Sequence, residues 1–451
     1  MKISTHSVLL DTHKCRGCTN CVKRCPTEAI RVRDGKAIII AERCVDCGEC
    51  IRVCPHHAKR AIVDKLEVLE NYEYTIALPA PTLYAQFTGL RDRNIVLTAL
   101  KHIGFDDVFE VTVAAEAISA ATMKDFESKK LPKPVISTAC PTIVRIIRVR
   151  FPSLLDKMID YRSPMELAAR WAKKIAAKKT GLPEDKIGCI FISPCPAKAT
   201  ATKMPLGTSV SAVDGVISIS EIYPVLVNVM SHLNEDEIED LARSGPAGVS
   251  WAYSGGEATA AKVDKILAAD GIENVISVLE AIEDGKVHQA RFIELNACVG
   301  GCVGGALTVE NPFIARARLG HIMEASAPAI PVDDLPADDM HWDEKIEYEP
   351  VLEIDKDLSV AMEKLMRIQE TEMEFNGMDC GACGAPTCHA FAEDIVAGLG
   401  SIDQCIFHMR EKMEQLMDEN EQLLDENEQL IDENEELEEE LNKKLGEGHL
   451  K

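Results

Sequence analysis

Along residues 70–325 short apolar runs alternate with longer amphipathic stretches. The runs TIALPA, PVISTAC, KIGCIFISP and QARFIELNAC each end at Pro, Gly or Cys, and their length and apolar content predict strands buried on both faces. Between them, SPMELAARWAKKIAAKK and EIYPVLVNVMSHLNEDEIEDLARS carry apolar residues at helical spacing. That alternation predicts an α/β domain over 70–325. Residues 1–65 form a compact unit set apart by its cysteines, and 326–350 are rich in Pro and Asp, as in a linker or a strap over a surface. A small helical unit follows over 351–410, and 411–447 repeat in sevens.

Composition narrows the class. The chain has 451 residues, 46% of them apolar, enough for a sizeable core, but only 5% aromatic. Scarce aromatics suit an interior partly filled by inorganic groups. A formal charge of −25 argues against nucleic acid, which needs a basic face, although much of that charge lies in the last forty residues. MKISTHSVLLDTHKC lacks the long apolar core of a secretory signal, and no apolar stretch approaches a membrane span. The expectation is a cytoplasmic protein with no membrane and no nucleic-acid partner. In a reducing compartment grouped cysteines bind metal more often than they form disulfides. Sixteen of the seventeen cysteines fall into ligand sets, and Cys189, inside a strand-like run, is the remaining buried thiol.

Cys15-x2-Cys18-x2-Cys21-x3-Cys25-Pro26 is followed by Cys44-x2-Cys47-x2-Cys50-x3-Cys54-Pro55. This is the spacing of bacterial two-cluster ferredoxins, in which the fourth cysteine of each run ligates the other cluster. Cys15, Cys18, Cys21 and Cys54 are therefore expected to hold one [4Fe–4S] cluster, and Cys44, Cys47, Cys50 and Cys25 the second. Zinc ribbons do not use this double run. Clusters of this type carry single electrons, so the chemistry is expected elsewhere.

Four more cysteines lie in three separated loops, STACPTIVR (Cys140), ISPCPAK (Cys195) and IELNACVGGCVGG (Cys298 and Cys302). Over about residues 70–325 this pattern resembles the [FeFe]-hydrogenases, of the sensory, slow-turnover type. The resemblance implies a two-lobed domain holding an H-cluster: a [4Fe–4S] cubane on Cys140, Cys195, Cys298 and Cys302, with Cys302 bridging to a di-iron unit that carries CO, cyanide and a dithiolate. It also implies that Lys198 donates to one cyanide, that Ala80, Pro81 and Thr82 contact the other, that Pro194 fixes the second loop, and that maturation proteins install the unit. Gly300, Gly301, Gly304 and Gly305 are expected to let backbone approach the metal. The bland alternative for Lys198 is a solvated surface lysine.

The chain also departs from the family. Fast members carry a proton-relaying cysteine where this chain has Ala139, and a methyl group cannot carry a proton. A glutamate usual three residues after the lysine is Ala201, the acids usual on the helix after Glu116 are replaced near Ala121 and Lys124, and a usual methionine is Asn296. All changes fall on the proton path or outer shell and none on a ligand. The expectation is a site that binds and senses H2 but exchanges protons slowly, with Glu116, Glu257 and Glu294 as candidate replacement acids. The competing expectations are a catalytic hydrogenase with another proton route, and an iron–sulfur assembly scaffold without the di-iron unit.

Cys380-x2-Cys383-x4-Cys388-x16-Cys405 forms a third set, for a [4Fe–4S] cluster with zinc as rival, and His389 reads as a helix residue. In the tail Leu416, Leu423, Leu430 and Leu437 recur at one heptad position and Asn420, Asn427 and Asn434 four residues later. Leu at d with Asn at a predicts a parallel two-stranded coiled coil and a homodimer. Met417, Leu424 and Ile431 widen the stripe, which leaves open a higher oligomer or a partner helix, and a solvated acidic helix is the alternative.

Overall fold

A computed structural model describes residues 6–128, 131–331 and 339–447. The chain divides into two compact units, Met1–Glu353 and Ile354–Lys451.

The first unit begins with four short strands. β1 (Val8–Leu10) pairs antiparallel with β4 (Lys59–Ala61), and β2 (Ile30–Arg33) pairs antiparallel with β3 (Lys36–Ile39). Asp34 and Gly35 turn between β2 and β3 with φ of 50° and 70°, the conformation that Asp-Gly favours in a two-residue hairpin. Short helices Asn20–Lys23 and Glu49–Arg52 carry Cys21 and Cys50.

Two parallel sheets follow. The first has the order β6 (Asp107–Val108), β5 (Tyr74–Pro79), β8 (Ile187–Ser193), β9 (Gly215–Ser218); the second has β10 (Ile266–Asp270), β11 (Phe292–Asn296), β7 (Val135–Ile136). Every residue of β8 is buried, as an apolar run flanked by helices on both faces requires. The predicted helix over SPMELAARWAKKIAAKK spans Pro164–Thr180, with Ser163 capping its start through the Glu166 amide and Gly181 closing it at φ 76°. It buries Trp171 against the first sheet and the helix Val111–Glu127.

The stretch 221–244 is a different case. The α-helix covers only Ile219–Met230, and a single 3-10 turn, Glu235–Glu237, follows before the chain runs on without helix to Ser244. Tertiary bonds outcompete helix propensity here. Asn94 Oδ1 accepts from the amides of Leu241 and Ala242 at 2.8 Å, and Glu110 Oε2 accepts from those of Arg243 and Ser244 at 2.6 and 3.0 Å. Glu110 is itself buried, paired at 2.7 Å with buried Arg93 and accepting from Tyr84 Oη at 2.9 Å.

Of the Pro- and Asp-rich segment 326–350, residues 332–338 lie outside the described residues; from 339 it straps onto the first unit. The Trp342 amide donates to Asp160 C=O at 2.8 Å, Asp343 pairs with buried Arg162 at 2.7 Å, and Ile346 enters the core.

In the second unit, helices Leu358–Met373 and Cys388–Val396 pack together, with Phe375 and Phe391 rings 5.4 Å apart. A 42-residue helix, Ile406–Glu447, ends the described chain, and the apolar stripe of its heptads is exposed. Among the described residues no helix is long and apolar enough to cross a membrane.

Candidate metal centre

Parallel sheets bind ligands beyond the carboxyl ends of their strands, where the chain must leave the sheet. Here two sheets present those ends together. Ala80 follows β5 directly, Cys195 lies two residues past β8, Cys140 four past β7, and Cys298 two past β11. Cys140 and Cys195 each cap a helix that has Pro at its first position, Pro141–Arg150 and Pro196–Lys203. Thiolates placed there meet the positive end of each helix.

The four thiols converge. Burial first, with the charges of neighbouring thiols in the set adding to it and Lys198 or Arg52 opposing it, holds Cys195 up at about 11, Cys298 at about 12 and Cys302 well above its usual range. Buried thiols that repel one another when ionised are a donor set in need of iron.

A cavity of about 70 Å³ opens beside them, and of the four cysteines Cys140 and Cys302 face it. Pro81, Pro194, Phe191, Met165 and Trp251 give it apolar walls, and Thr82, Lys198, Glu257, Glu294 and Asn296 supply its polar groups. Thr82 Oγ1 is buried with no partner, as expected of a group that bonds a ligand. Lys198 is 8% exposed, not a solvated lysine, and its Nζ donates to Ala139 C=O at 3.1 Å. The Ala139 methyl lines the same cavity.

The candidate acids separate. Glu116 does not line this cavity: its Oε1 accepts from the amides of Gly245 and Gly248 at 2.9 and 3.0 Å, which anchors a loop. Glu257 and Glu294 both line it. Burial, and then the Glu294 charge, raise Glu257 to about 8; burial raises Glu294 as well. Glu294 accepts from the amides of Gly255 and Ala258 at 2.8 and 3.0 Å and from Asn296 Nδ2 at 3.0 Å. Ser137 Oγ donates to Glu257 Oε2 at 2.6 Å and accepts from the Ala139 amide at 3.3 Å. Ala121 and Lys124 lie outside the cavity.

Two of the glycines in the third loop are closely packed. A Cβ on Gly301 (φ 90°) would lie 2.5 Å from the Ser254 amide nitrogen, and one on Gly305 would collide with Pro194 C=O. At these two positions the absence of a side chain lets the third loop meet its neighbours.

In the cysteine-rich segment, Cys21 lies within electrostatic reach of Cys54, Cys15 and Cys18, and Cys25, Cys44, Cys47 and Cys50 lie within reach of one another, with Cys50 also near Cys21. Lys59 is buried with an unpartnered Nζ beside Cys21 and Cys50, a cation suited to the negative charge of a thiolate-bound cluster. Cys189 is fully buried, its thiol donating to Ala169 C=O at 3.6 Å. Ser137, Asp46 and Arg52 drew no attention in the sequence. Asp46 accepts from the Ser7 amide at 2.8 Å and Thr200 Oγ1 at 2.7 Å, which ties the second cysteine run to the helix after Cys195. In the second unit Cys380, Cys383, Cys388 and Cys405 line one small pocket, with Asp379 Oδ1 accepting from the Cys388 amide at 2.6 Å. His389 bonds Glu372 at 2.7 Å, as a helix residue does.

With these sites in place, sequence comparison decides the family. The iron only hydrogenase large subunit, C-terminal domain, matches residues 73–266 and 258–306. The chain belongs to the [FeFe]-hydrogenase family. A 4Fe-4S dicluster domain matches residues 7–55 and an Fe–S cluster domain residues 376–407. The chain is 25% identical over 343 residues to the NADP-reducing hydrogenase subunit HndD of Solidesulfovibrio fructosivorans, covering 64% of this chain and 55% of that one. With iron hydrogenase 1 of Clostridium pasteurianum it shares 23% over 368 residues, 66% of this chain and 64% of the relative. The chain thus spans less than two thirds of either hydrogenase. The cytosolic Fe-S cluster assembly factor nar1 of Aspergillus flavus is 28% identical over 160 residues, 35% of this chain and 28% of that one. A solved [FeFe]-hydrogenase HydA1 from Chlamydomonas reinhardtii overlays with a TM-score of 0.47 at 15% identity, covering 60% of this chain and 91% of the other.

Proposed function

We propose that this [FeFe]-hydrogenase is a hydrogen sensor: it activates H2 reversibly at an H-cluster and turns over slowly. One observation carries the reading. All four thiols face one another beside a cavity that retains Lys198 and the orphaned Thr82 hydroxyl, yet the residue placed to relay protons is Ala139. When bound, the clusters and the di-iron unit supply hydrogen activation and single-electron transfer.

The chain's own residues do the rest. Cys140, Cys195, Cys298 and Cys302 would hold the cubane, with Cys302 reaching the di-iron unit. Lys198 Nζ and Thr82 Oγ1 would bond its diatomic ligands, and Pro81, Phe191 and Trp251 exclude water. The buried pair Glu257 and Glu294 cannot both ionise readily, so together they hold a proton at neutral pH. The Glu257 carboxyl is where a proton would be held, and its Oε2 accepts from Ser137 Oγ, which lies in the direction of Ala139. That pair also favours a second reading, a catalytic hydrogenase with an unusual proton path. Electrons would pass through the two clusters on the cysteines of residues 15–54, and a fourth cubane would sit on Cys380, Cys383, Cys388 and Cys405. A parallel coiled coil over 411–447 would make a cytoplasmic homodimer, and maturation proteins would load the site.

The test is infrared spectroscopy of matured protein under hydrogen and under inert gas, followed by turnover with an artificial donor. Bands from CO and cyanide that shift with hydrogen, together with low turnover, are expected. Their absence leaves the assembly-scaffold reading, and fast turnover leaves the catalytic one.

A further inference from the structure

Arg52 lies in the second cysteine run, between Cys50 and Cys54, yet its side chain leaves that segment. Its Nη2 donates to Gly304 C=O at 2.6 Å, in the turn that follows Cys302. The same side chain hydrogen-bonds the Cys298 thiol and lies within electrostatic reach of Cys47, and Nη1 is steered by an ion pair with Glu49. Nearby, Gly48 packs so tightly against Ala306 and Pro196 that a Cβ there would sit 2.6 Å from the Ala306 methyl. One guanidinium therefore touches a ligand of the hydrogen site while standing beside a ligand of the neighbouring cluster.

A guanidinium keeps its charge at any physiological pH and offers five donors in a fixed fork. A cation hydrogen-bonded to a cluster thiolate stabilises the reduced, more negative cluster over the oxidised one, and so raises its reduction potential. We propose that Arg52 is a positioning residue that raises the reduction potential of the hydrogen-site cubane and so favours electron flow from the ferredoxin-like clusters into it. The inference rests on the cluster assignment given under the proposed function. It adds a control point that the four ligands do not contain.

The experiment uses the full-length chain produced without maturation proteins, so that the cubanes form and the di-iron unit does not. Redox titration followed by electron paramagnetic resonance gives each midpoint, and the hydrogen-site signal is assigned by its loss in Cys195→Ala. Arg52→Gln should lower that midpoint by about 59 mV, a tenfold change in a one-electron reduction equilibrium. Arg52→Lys, which keeps the charge but not the fork, should recover part of it. Arg24→Gln breaks another link between the same parts of the chain, the exposed Arg24–Glu273 pair at 2.9 Å, and should leave the midpoint in place. A purely structural role for Arg52 would shift thermal stability with an unmoved potential, and that result overturns the inference. So does an equal shift in Arg24→Gln, or an Arg52→Lys midpoint equal to the parent's should Arg52→Gln fail to fold. A parent chain that shows no signal sensitive to Cys195 refutes the cluster assignment itself, and the inference with it.

Discussion

Glu257 is the residue whose environment asks most of its chemistry. Its carboxyl, raised to about 8, keeps a proton that the unfolded chain, with an ordinary glutamate near ~4.3, has already released. Folding stability therefore falls as pH rises between those two values, and the cost is complete above the upper one. Glu257→Gln cannot ionise, so its stability relative to the parent should grow from pH 5 to pH 8, reaching at least ~1 kcal/mol in chemical denaturation. If Glu257 handles protons for the site, the same variant should slow hydrogen–deuterium exchange by about a hundredfold or more with its infrared bands intact. Ala139→Cys should act in the opposite direction and raise turnover; equal rates would show that proton supply at this position is not limiting. Thr82→Val removes a buried hydroxyl without a partner, so the unloaded chain should melt no lower than the parent, while the loaded chain should give up its diatomic bands sooner. At this scale the grouping of the cysteines was legible, because the spacing that cluster geometry dictates can be read directly along the chain. Ser137 was not: nothing in STAC says that the hydroxyl would face an acid 120 positions away.

At the scale of elements, buried Glu110 pins the extended segment around Arg243 and Ser244. It accepts from Arg93, Tyr84 and two backbone amides, so Glu110→Ala strands a buried guanidinium and should cost ~3–5 kcal/mol, read as a lowered denaturation midpoint with unchanged m-value. Strand positions were readable from apolar runs, since strands buried on both faces need them. The non-helical path of 241–244 was not, because the bonds that hold it come from Asn94 and Glu110, far back in the sequence. The terminal helix is the reverse case, where pattern alone carries the expectation. Leu416, Leu423, Leu430 and Leu437 are all more than half exposed in the single chain, and an isolated acidic helix of this length gains little from its own charges. Deleting 411–451 should convert a dimer into a monomer in sedimentation; a dimer that persists would reassign the helix to another partner.

For the whole molecule, iron is part of the folding problem. Lys59 Nζ is buried without a counter-charge, and repelling thiols meet both in the cysteine-rich segment and at the hydrogen site. Chelation should therefore lower the unfolding temperature and abolish a single cooperative transition. The sequence showed the cysteine-rich segment and the α/β domain as separate stretches. In the structure they form one compact unit, and the contacts that join them, Asp46 to Thr200, Arg52 to Gly304 and Val45 in the core beside Ile136, are isolated residues with no periodic signature.

The buried four-cysteine site takes its walls from the strand ends of two separate sheets, so it is a seam rather than a pit. A guest seated there would touch elements of both sheets at once and so stabilise the folded arrangement that binds it. Amides of the 298–305 turn should therefore exchange with solvent quickly before loading and slowly afterwards. In that sense the prosthetic group would be the last piece of the tertiary structure to form.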